Sequence, residues 1–378
     1  MGGRASRLLA DTCAVYRIAL GLQCLNRPMT YQDFLDSKSS ACKPAGFDPQ
    51  QFTASLFPFQ RDIVTMACRV GKFCIWADCG MGKTAMQLEW AHQVHLETGG
   101  NVLVLAPLAV AHQTVREGSK FKIPCQFAAT QDEVKPGITV TNYEKLAHFD
   151  ASSFAGVVLD ESSILKAYTG KTRNQIIESF AQTPYRLACS ATPAPNDHME
   201  LGNHAEFVGV MTRTEMLAMF FVHDGGDTAK WRLKGHARSK FWEWVCSWAV
   251  TIRKPSDLGY DDGDFVLPAL QIQDCTVETH REAVTDDAGQ MALFAMEARS
   301  LNDQRKVRKA SLQLRVDAAS QLANSNGEQW LVWCDLNDES KALTAAIDGA
   351  VEVCGADSDD HKRQAAIAFQ DGKIRVLV

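Results

Sequence analysis

Residues 72–98 read KFCIWADCGMGKTAMQLEWAHQVHLET, and few folds accept such a run. KFCIWAD is apolar but too short for a helix of ordinary length, so it reads as a buried strand. Gly80 and Gly82 then punctuate the chain, and a helical pattern begins at once. Met86, Trp90 and Val94 recur at helical spacing, and Gly99-Gly100 closes the segment. A buried strand that passes through a tight turn into a helix is half of a βαβ unit. Such a unit needs a parallel neighbour. The alternation continues through NVLVLAP (101–107), AVAHQTVREGSKF (109–121), ITVTNYEKL (138–146), GVVLDES (156–162) and YRLACSATP (185–193). Strands alternating with helices predict an α/β fold built on a parallel sheet covered on both faces.

In sheets of this kind ligands bind beyond the carboxyl ends of the strands. The residues able to do chemistry gather at those ends: Gly80–Thr84 after one strand, Pro107 after another, Asp160-Glu161 after a third, and Ser190–Thr192 after a fourth. Their shared placement carries more weight than any one of them.

The rest of the chain divides by character. Residues 1–50 form an N-terminal extension. Residues 1–28 differ in character from the remainder of the chain and are expected to add nothing to the fold, since Met29 begins MTYQDFLDSK like an ordinary protein start. Residues 51–204 are the strand–helix alternation. Residues 205–268 read as a helical insertion or linker in which Phe241, Trp244, Val245 and Trp248 fall on one helical face as core. From 269 to 378 the alternation starts again, with EQWLVWC, VEVCG and KIRVLV as strands. This second α/β domain is expected to be unfinished at Val378.

Totals exclude several classes. With 46% hydrophobic and 22% charged residues the chain is globular. Its net charge of −6 gives no overall sign of a nucleic-acid binder, although a local basic groove stays compatible with it. Twelve cysteines without a C-x-x-C pair point to buried thiols in a reducing cytoplasm and not to a disulfide framework or zinc site. No apolar run reaches the roughly 20 residues that span a bilayer. Nothing implies an oligomer.

ADCGMGKT (77–84) has the parts a phosphate group needs. Backbone N–H groups converge in a glycine turn, a helix begins behind them, and Lys83 supplies a cation. In this reading Asp78, Cys79, Gly80, Met81, Gly82, Lys83 and Thr84 surround the phosphates of ATP, with the Thr84 hydroxyl on Mg2+. Asp160 sits at the tip of a buried strand, where a lone charge would be costly unless it faced a cation. It is the second Mg2+ residue, reaching the metal through water, and Glu161 orients or deprotonates the attacking water. Gln60 could match an adenine edge with its amide. Ser190 and Thr192 could couple the carboxylate pair to the second domain. His92 and His95, three apart on a helix, lack a third ligand nearby and read as structural.

Taken in order, FQ (59–60), ADCGMGKT, VLVLAPLAVAHQ (102–113), TNYE (141–144), VVLDESSILK (157–166) and SATPAPN (190–196) resemble the superfamily-two DEAD/DEAH-box helicases. APLAVAHQ, TNYE and IRKPSDLGYDDGDFVLP (252–268) are similar to the Swi/Snf-type DNA translocases, in a short form like phage or bacterial members. The resemblance covers about residues 55–378. It implies two RecA-like parallel-sheet domains of the P-loop NTPase class, the second incomplete, with ATP and Mg2+ between them and double-stranded DNA across their shared face. It implies that Gln60 reads adenine, that Lys83, Asp160 and Glu161 are catalytic, and that Pro107, Thr141, Asn142 and Lys166 lie near the DNA backbone. Two departures stand out. Ser163 replaces a histidine at the fourth position of the Asp160 box, and the family's final arginine-finger motif would fall beyond Val378. The implied activity is ATP-driven movement along or remodelling of duplex DNA in a bacterial or phage-infected cytoplasm. The alternatives are a nucleotide- and DNA-binding module with little turnover, and an RNA helicase.

Overall fold

The computed structural model describes residues 44–224, 227–266, 268–277 and 308–378. The expectation for residues 1–28 lies outside them, as does most of the polar stretch that precedes residue 308. The chain divides into two compact units between Pro268 and Ala269.

The first unit is built on seven parallel strands. In chain order they are β1 (Lys72–Ala77), β2 (Asn101–Ala106), β3 (Cys125–Phe127), β4 (Ile138–Asn142), β5 (Phe154–Asp160), β6 (Tyr185–Cys189) and β9 (Ala249–Ile252). Across the sheet the order is β3-β4-β2-β5-β6-β1-β9. Helices α1 (Pro58–Val70), α2 (Lys83–Thr98) and α3 (Leu108–Lys120) belong to the first half of the unit. Helices α4 (Lys171–Ser179), α5 (Leu201–Phe207), α6 (Arg213–Phe220) and α7 (Arg238–Cys246) belong to the second.

Two apolar layers explain the unbroken hydrophobic runs. Successive strand residues point to opposite faces. Thus Phe73, Ile75 and Ala77 join Ile63, Met86 and Trp90 in one layer, while Cys74 and Trp76 join Leu201, Phe241 and Trp244 in the other. A strand buried on both faces can show no polar alternation. Helix α1 begins with Pro58, whose missing N–H is no loss in a first turn, and Phe57 N–H donates to Gln60 Oε1 at 3.0 Å. Helix α2 starts from Gly82 and stops at Gly99, both in the left-handed region that favours glycine.

A buried polar tie fixes the segment before α1. Glu89, wholly buried on α2, accepts from Ala54 N at 2.6 Å and from Gln93 Nε2 at 2.8 Å. These bonds satisfy a charge that would otherwise oppose burial.

Residues 205–268 differ from the helical linker read in the sequence. They include an antiparallel hairpin, β7 (Phe221–Asp224) with β8 (Asp227–Leu233), and the edge strand β9 pairs in parallel with β1. AVTI is too short to separate from the aromatic helix beside it by periodicity. The aromatic stripe itself is core: Phe241, Trp244, Val245 and Trp248 are all buried. The Trp248 ring meets Trp76 and Trp244 with centroids at 5.5 and 5.2 Å. Trp248→Ala should therefore lower the stability of this unit by about 3–5 kcal/mol, read from urea unfolding followed by circular dichroism. A loss under about 1 kcal/mol, the usual size for surface changes, would count against this packing.

The second unit holds β10 (Trp330–Leu331), β11 (Ala350–Val351) and β12 (Val376–Leu377), parallel and ordered β10-β12-β11. Helices α8 (Leu312–Asn324), α9 (Asn337–Ala346) and α10 (Asp359–Gln370) accompany them. Val316, Ala323, Leu343, Ile347, Val376 and Val378 form its core. Arg375 stitches it by donating to the carbonyls of Ala323 at 2.7 Å and Asp348 at 3.0 Å. Across both units, no helix among the described residues is long and apolar enough to cross a membrane.

Candidate nucleotide site

Parallel strands point their carboxyl ends to one edge of the sheet, and there the sequence-predicted residues meet. The order β5-β6-β1 sets the Asp160 tip and the glycine turn on either side of Ser190. The Ser190 N–H bonds back to the Ile75 carbonyl at 3.2 Å, which ties β6 to β1 just below the site.

The loop after β1 is shaped by its glycines. Gly80 has φ +83° and Gly82 has φ +76°, values that suit glycine alone without strain. A Cβ on Gly80 would meet nothing within 4 Å, so the backbone there fronts open space. A Cβ on Gly82 would stand 2.4 Å from Gln60 Nε2. Asp78 caps the turn by accepting from Cys79 N at 2.7 Å. Lys83 Nζ donates to the carbonyls of Ala77 at 2.9 Å and Asp78 at 3.3 Å. Its ammonium thus lies inside the loop it is expected to serve, with Thr84 next to it at the start of α2.

Gln60 sits elsewhere than a free base-reading group would. Its side chain is buried, donates from Nε2 to the Met81 carbonyl at 3.0 Å and accepts from Phe57 N. One lone pair and one N–H remain beyond these bonds. Gln60 therefore braces the loop against α1.

Asp160 is 5% exposed, and burial raises its carboxyl from the usual 3.8 to about 6. Gln87 on α2 pulls the other way, Glu161 adds repulsion, and the Lys83 ammonium is close enough to favour the ionised form. Gln87 lies wholly buried with neither amide atom in a well-formed hydrogen bond. The Tyr143 hydroxyl donates to the Asp160 carbonyl at 2.6 Å, which pins the strand tip. Glu161 has φ +52°, one of two non-glycine residues with positive φ among those described. That conformation costs on the order of 1–3 kcal/mol and persists only where neighbours enforce it. Ser190 Oγ donates to Glu161 Oε2 at 3.4 Å and accepts from Thr192 N at 3.0 Å.

The other expected residues scatter. Pro107 is half-buried and Lys166 exposed, but Thr141 and Asn142 are buried in β4. Thr141 is wholly buried and Asn142 is 2% exposed, so their side chains do not present a surface to a large partner. Gln87 and Tyr143 were missed as site residues. Gln87 carried a usable signal, since it lies one helical turn beyond Lys83 and so shares its face.

Open backbone at Gly80, an ammonium inside the loop and a buried carboxylate of raised pKa suit a phosphate anion accompanied by a divalent cation. Fold and site together describe an α/β domain with a glycine loop and an acidic strand tip on one edge of a parallel sheet. Residues 57–201 match the DEAD/DEAH box helicase family model. A phage protein, p41 of Acyrthosiphon pisum secondary endosymbiont phage 1, is 27% identical over 177 residues. That match spans 40% of this chain and 38% of p41, well under half of either. Among solved structures, the Sulfolobus solfataricus SWI2/SNF2 ATPase core in complex with dsDNA is similar at 17% identity and a TM-score of 0.48, over 88% of this chain and 79% of that one. The UvsW helicase from bacteriophage T4 is similar at 16% identity and a TM-score of 0.35, over 54% of this chain and 76% of that one. The fold is α/β, with a parallel sheet of seven strands in the first unit and a second parallel sheet in the other.

Proposed function

We propose that this chain is an ATP hydrolase stimulated by nucleic acid, and that it moves along or remodels double-stranded DNA. One observation carries the reading: the glycine loop with Lys83 and the Asp160-Glu161 tip stand on either side of Ser190, on one edge of one parallel sheet. In this reading the N–H groups of residues 79–84 and the Lys83 ammonium hold the phosphates of ATP. Lys83 exchanges its bonds to Ala77 and Asp78 for phosphate oxygens. Thr84 and Asp160 hold Mg2+, which when bound neutralises charge on the phosphate oxygens. Glu161 accepts a proton from the attacking water, and Ser190 keeps its carboxylate aimed. Gln60 contacts adenine with the hydrogen-bonding capacity it has left.

Duplex DNA as the partner is supported by the TNYE and IRK…LP segments. Contact with the DNA backbone falls to exposed groups such as Lys166 and to the surface near Pro107. It is electrostatic and weakens with salt. The activity belongs to the bacterial or phage-infected cytoplasm.

The test compares phosphate release with duplex DNA, single-stranded RNA or no polymer. Duplex DNA should stimulate most, and preference for RNA would replace translocation with RNA unwinding. Lys83→Ala should lower turnover by about 10²–10³-fold, the scale for removing one preorganised charge-stabilising donor. Turnover equal to wild type would remove Lys83 from the site. Nucleotide affinity measured alongside separates a slow enzyme from a binding module.

A further inference from the structure

Helix α5 turns polar side chains toward the sheet that no step above employs. Asn203 and His204 are wholly buried, as is Ser162. His204 Nε2 and Ser162 Oγ are hydrogen-bonded at 3.1 Å. Asn203 Nδ2 donates to the carbonyls of Leu165 at 2.8 Å and Lys166 at 3.2 Å. Glu206 on the same helix pairs with Arg173 of α4, which fixes α5 from a second side. The His204 ring also meets Trp76 edge-on, with centroids 5.7 Å apart and planes at 85°. Trp76 directly precedes Ala77, whose carbonyl receives Lys83.

An apolar helix would cover this face of the sheet at lower cost, because buried amide and imidazole groups lose water. What they gain is a fixed loop. Ser162, Leu165 and Lys166 come just after Glu161, the residue held at φ +52°. A left-handed glutamate needs constraint from both sides. Tyr143 and Ser190 constrain it at the strand tips, and α5 constrains the chain just after it. The box beginning at Asp160 has serine at 163, so the buried imidazole that reaches this loop comes from a distant helix.

We propose that His204 and Asn203 are positioning residues, which hold the Asp160-Glu161 pair in register with the phosphate loop through Ser162, the 165–166 carbonyls and Trp76. Neither touches substrate. The assignment rests on the ATPase reading and adds to it a dependence of turnover on α5.

Steady-state ATP turnover of the full chain, with wild type, His204→Leu, His204→Gln, Ser162→Ala and the double variant His204→Leu/Ser162→Ala, tests it. Small misplacement of a catalytic group costs about 10²-fold, so His204→Leu should lose that much kcat with KM for ATP nearly unchanged. Glutamine places an amide about where the imidazole Nε2 stands and should recover most of the loss. The double variant should be no worse than His204→Leu alone, as expected for two residues acting through one bond. If glutamine were as damaging as leucine, if KM and kcat moved together, or if the losses multiplied, the proposal would be overturned. Amide hydrogen exchange in the nucleotide-free chain gives a second reading that does not need turnover. Residues 160–166 should exchange faster in His204→Leu and return in His204→Gln, with 101–106 unchanged. Absence of turnover in wild type would defeat the ATPase reading, and unchanged exchange at 160–166 would separately defeat the positioning role.

Discussion

Glu161→Gln is expected to lower ATP turnover by about 10²–10⁴-fold, the usual contribution of a positioned general base. The substitution keeps shape and removes basicity. A glutamine Oε1 can still accept from Ser190 Oγ, which donates to Glu161 Oε2 at 3.4 Å in the native chain. The left-handed backbone should survive, since Tyr143 and the hydrogen bond from Glu161 N to Asp160 Oδ1 at 3.1 Å do not depend on the carboxylate. Nucleotide affinity should stay near wild type, because the phosphate loop is untouched. Phosphate release and a fluorescent-nucleotide titration measure the two. Full turnover in this variant would transfer the proton-accepting role elsewhere. Loss of binding together with turnover would mean that Glu161 supports the loop and not the chemistry.

The second large effect is on stability. Asp160→Asn should make the nucleotide-free chain more stable at pH 7.5 by about 1–3 kcal/mol while abolishing turnover, since one pKa unit corresponds to about 1.4 kcal/mol. Burial raises the folded-state pKa of Asp160 from 3.8 to about 6. A raised pKa stabilises the fold below about pH 4, and that contribution is lost as pH rises through 6. Asparagine never ionises, keeps an oxygen for the Glu161 N–H, and offers its amide N–H to Gln87, whose own amide lacks a well-formed hydrogen bond. His204 acts in the opposite sense. Burial lowers it from 6.5 to about 4, so its contribution is present above pH 6.5 and lost as pH falls through 4. In wild type the two trends oppose each other between about pH 4 and 6.5. Asp160→Asn should expose the His204 trend as stability that climbs with pH over that window. Urea unfolding at pH 4, 5.5 and 7.5 reads this. A gap between variant and wild type that stayed constant with pH would refute the assignment of the strain to Asp160. Mg2+ with nucleotide should stabilise wild type more than the variant, because the phosphate loop is intact in both and only the carboxylate on the metal is lost.

Much of this was legible in the chain itself. KFCIWA, NVLVLA and GVVLD read as buried strands because each is mostly apolar, too short for an ordinary helix and followed by turn residues. Gly80 and Gly82 had to sit where φ is positive or the backbone comes close. Lys83 and Asp160 were placed by strand ends alone. What escaped had a physical cause in each case. AVTI was hidden against an aromatic helix, because a four-residue strand has too little period to show. Thr141 and Asn142 were placed near DNA by resemblance alone, and the structure adds that both side chains are buried, which polarity at a strand end does not tell. Gln60 was read as able to match adenine, and the structure adds that half of its hydrogen-bonding capacity braces the loop through Met81 and Phe57.

The sequence by itself determined the parallel-sheet class, the phosphate loop and the acidic tip, because local spacing dictates strand, turn and helix. Only the tertiary structure decided that Ser190 stands between the loop and the tip, that Glu161 is held left-handed, and that His204 reaches the acidic loop from a helix some forty residues downstream. Those relations depend on strand order and on which helix face meets the sheet. Both are settled by packing between segments far apart in the chain, where no local pattern records them.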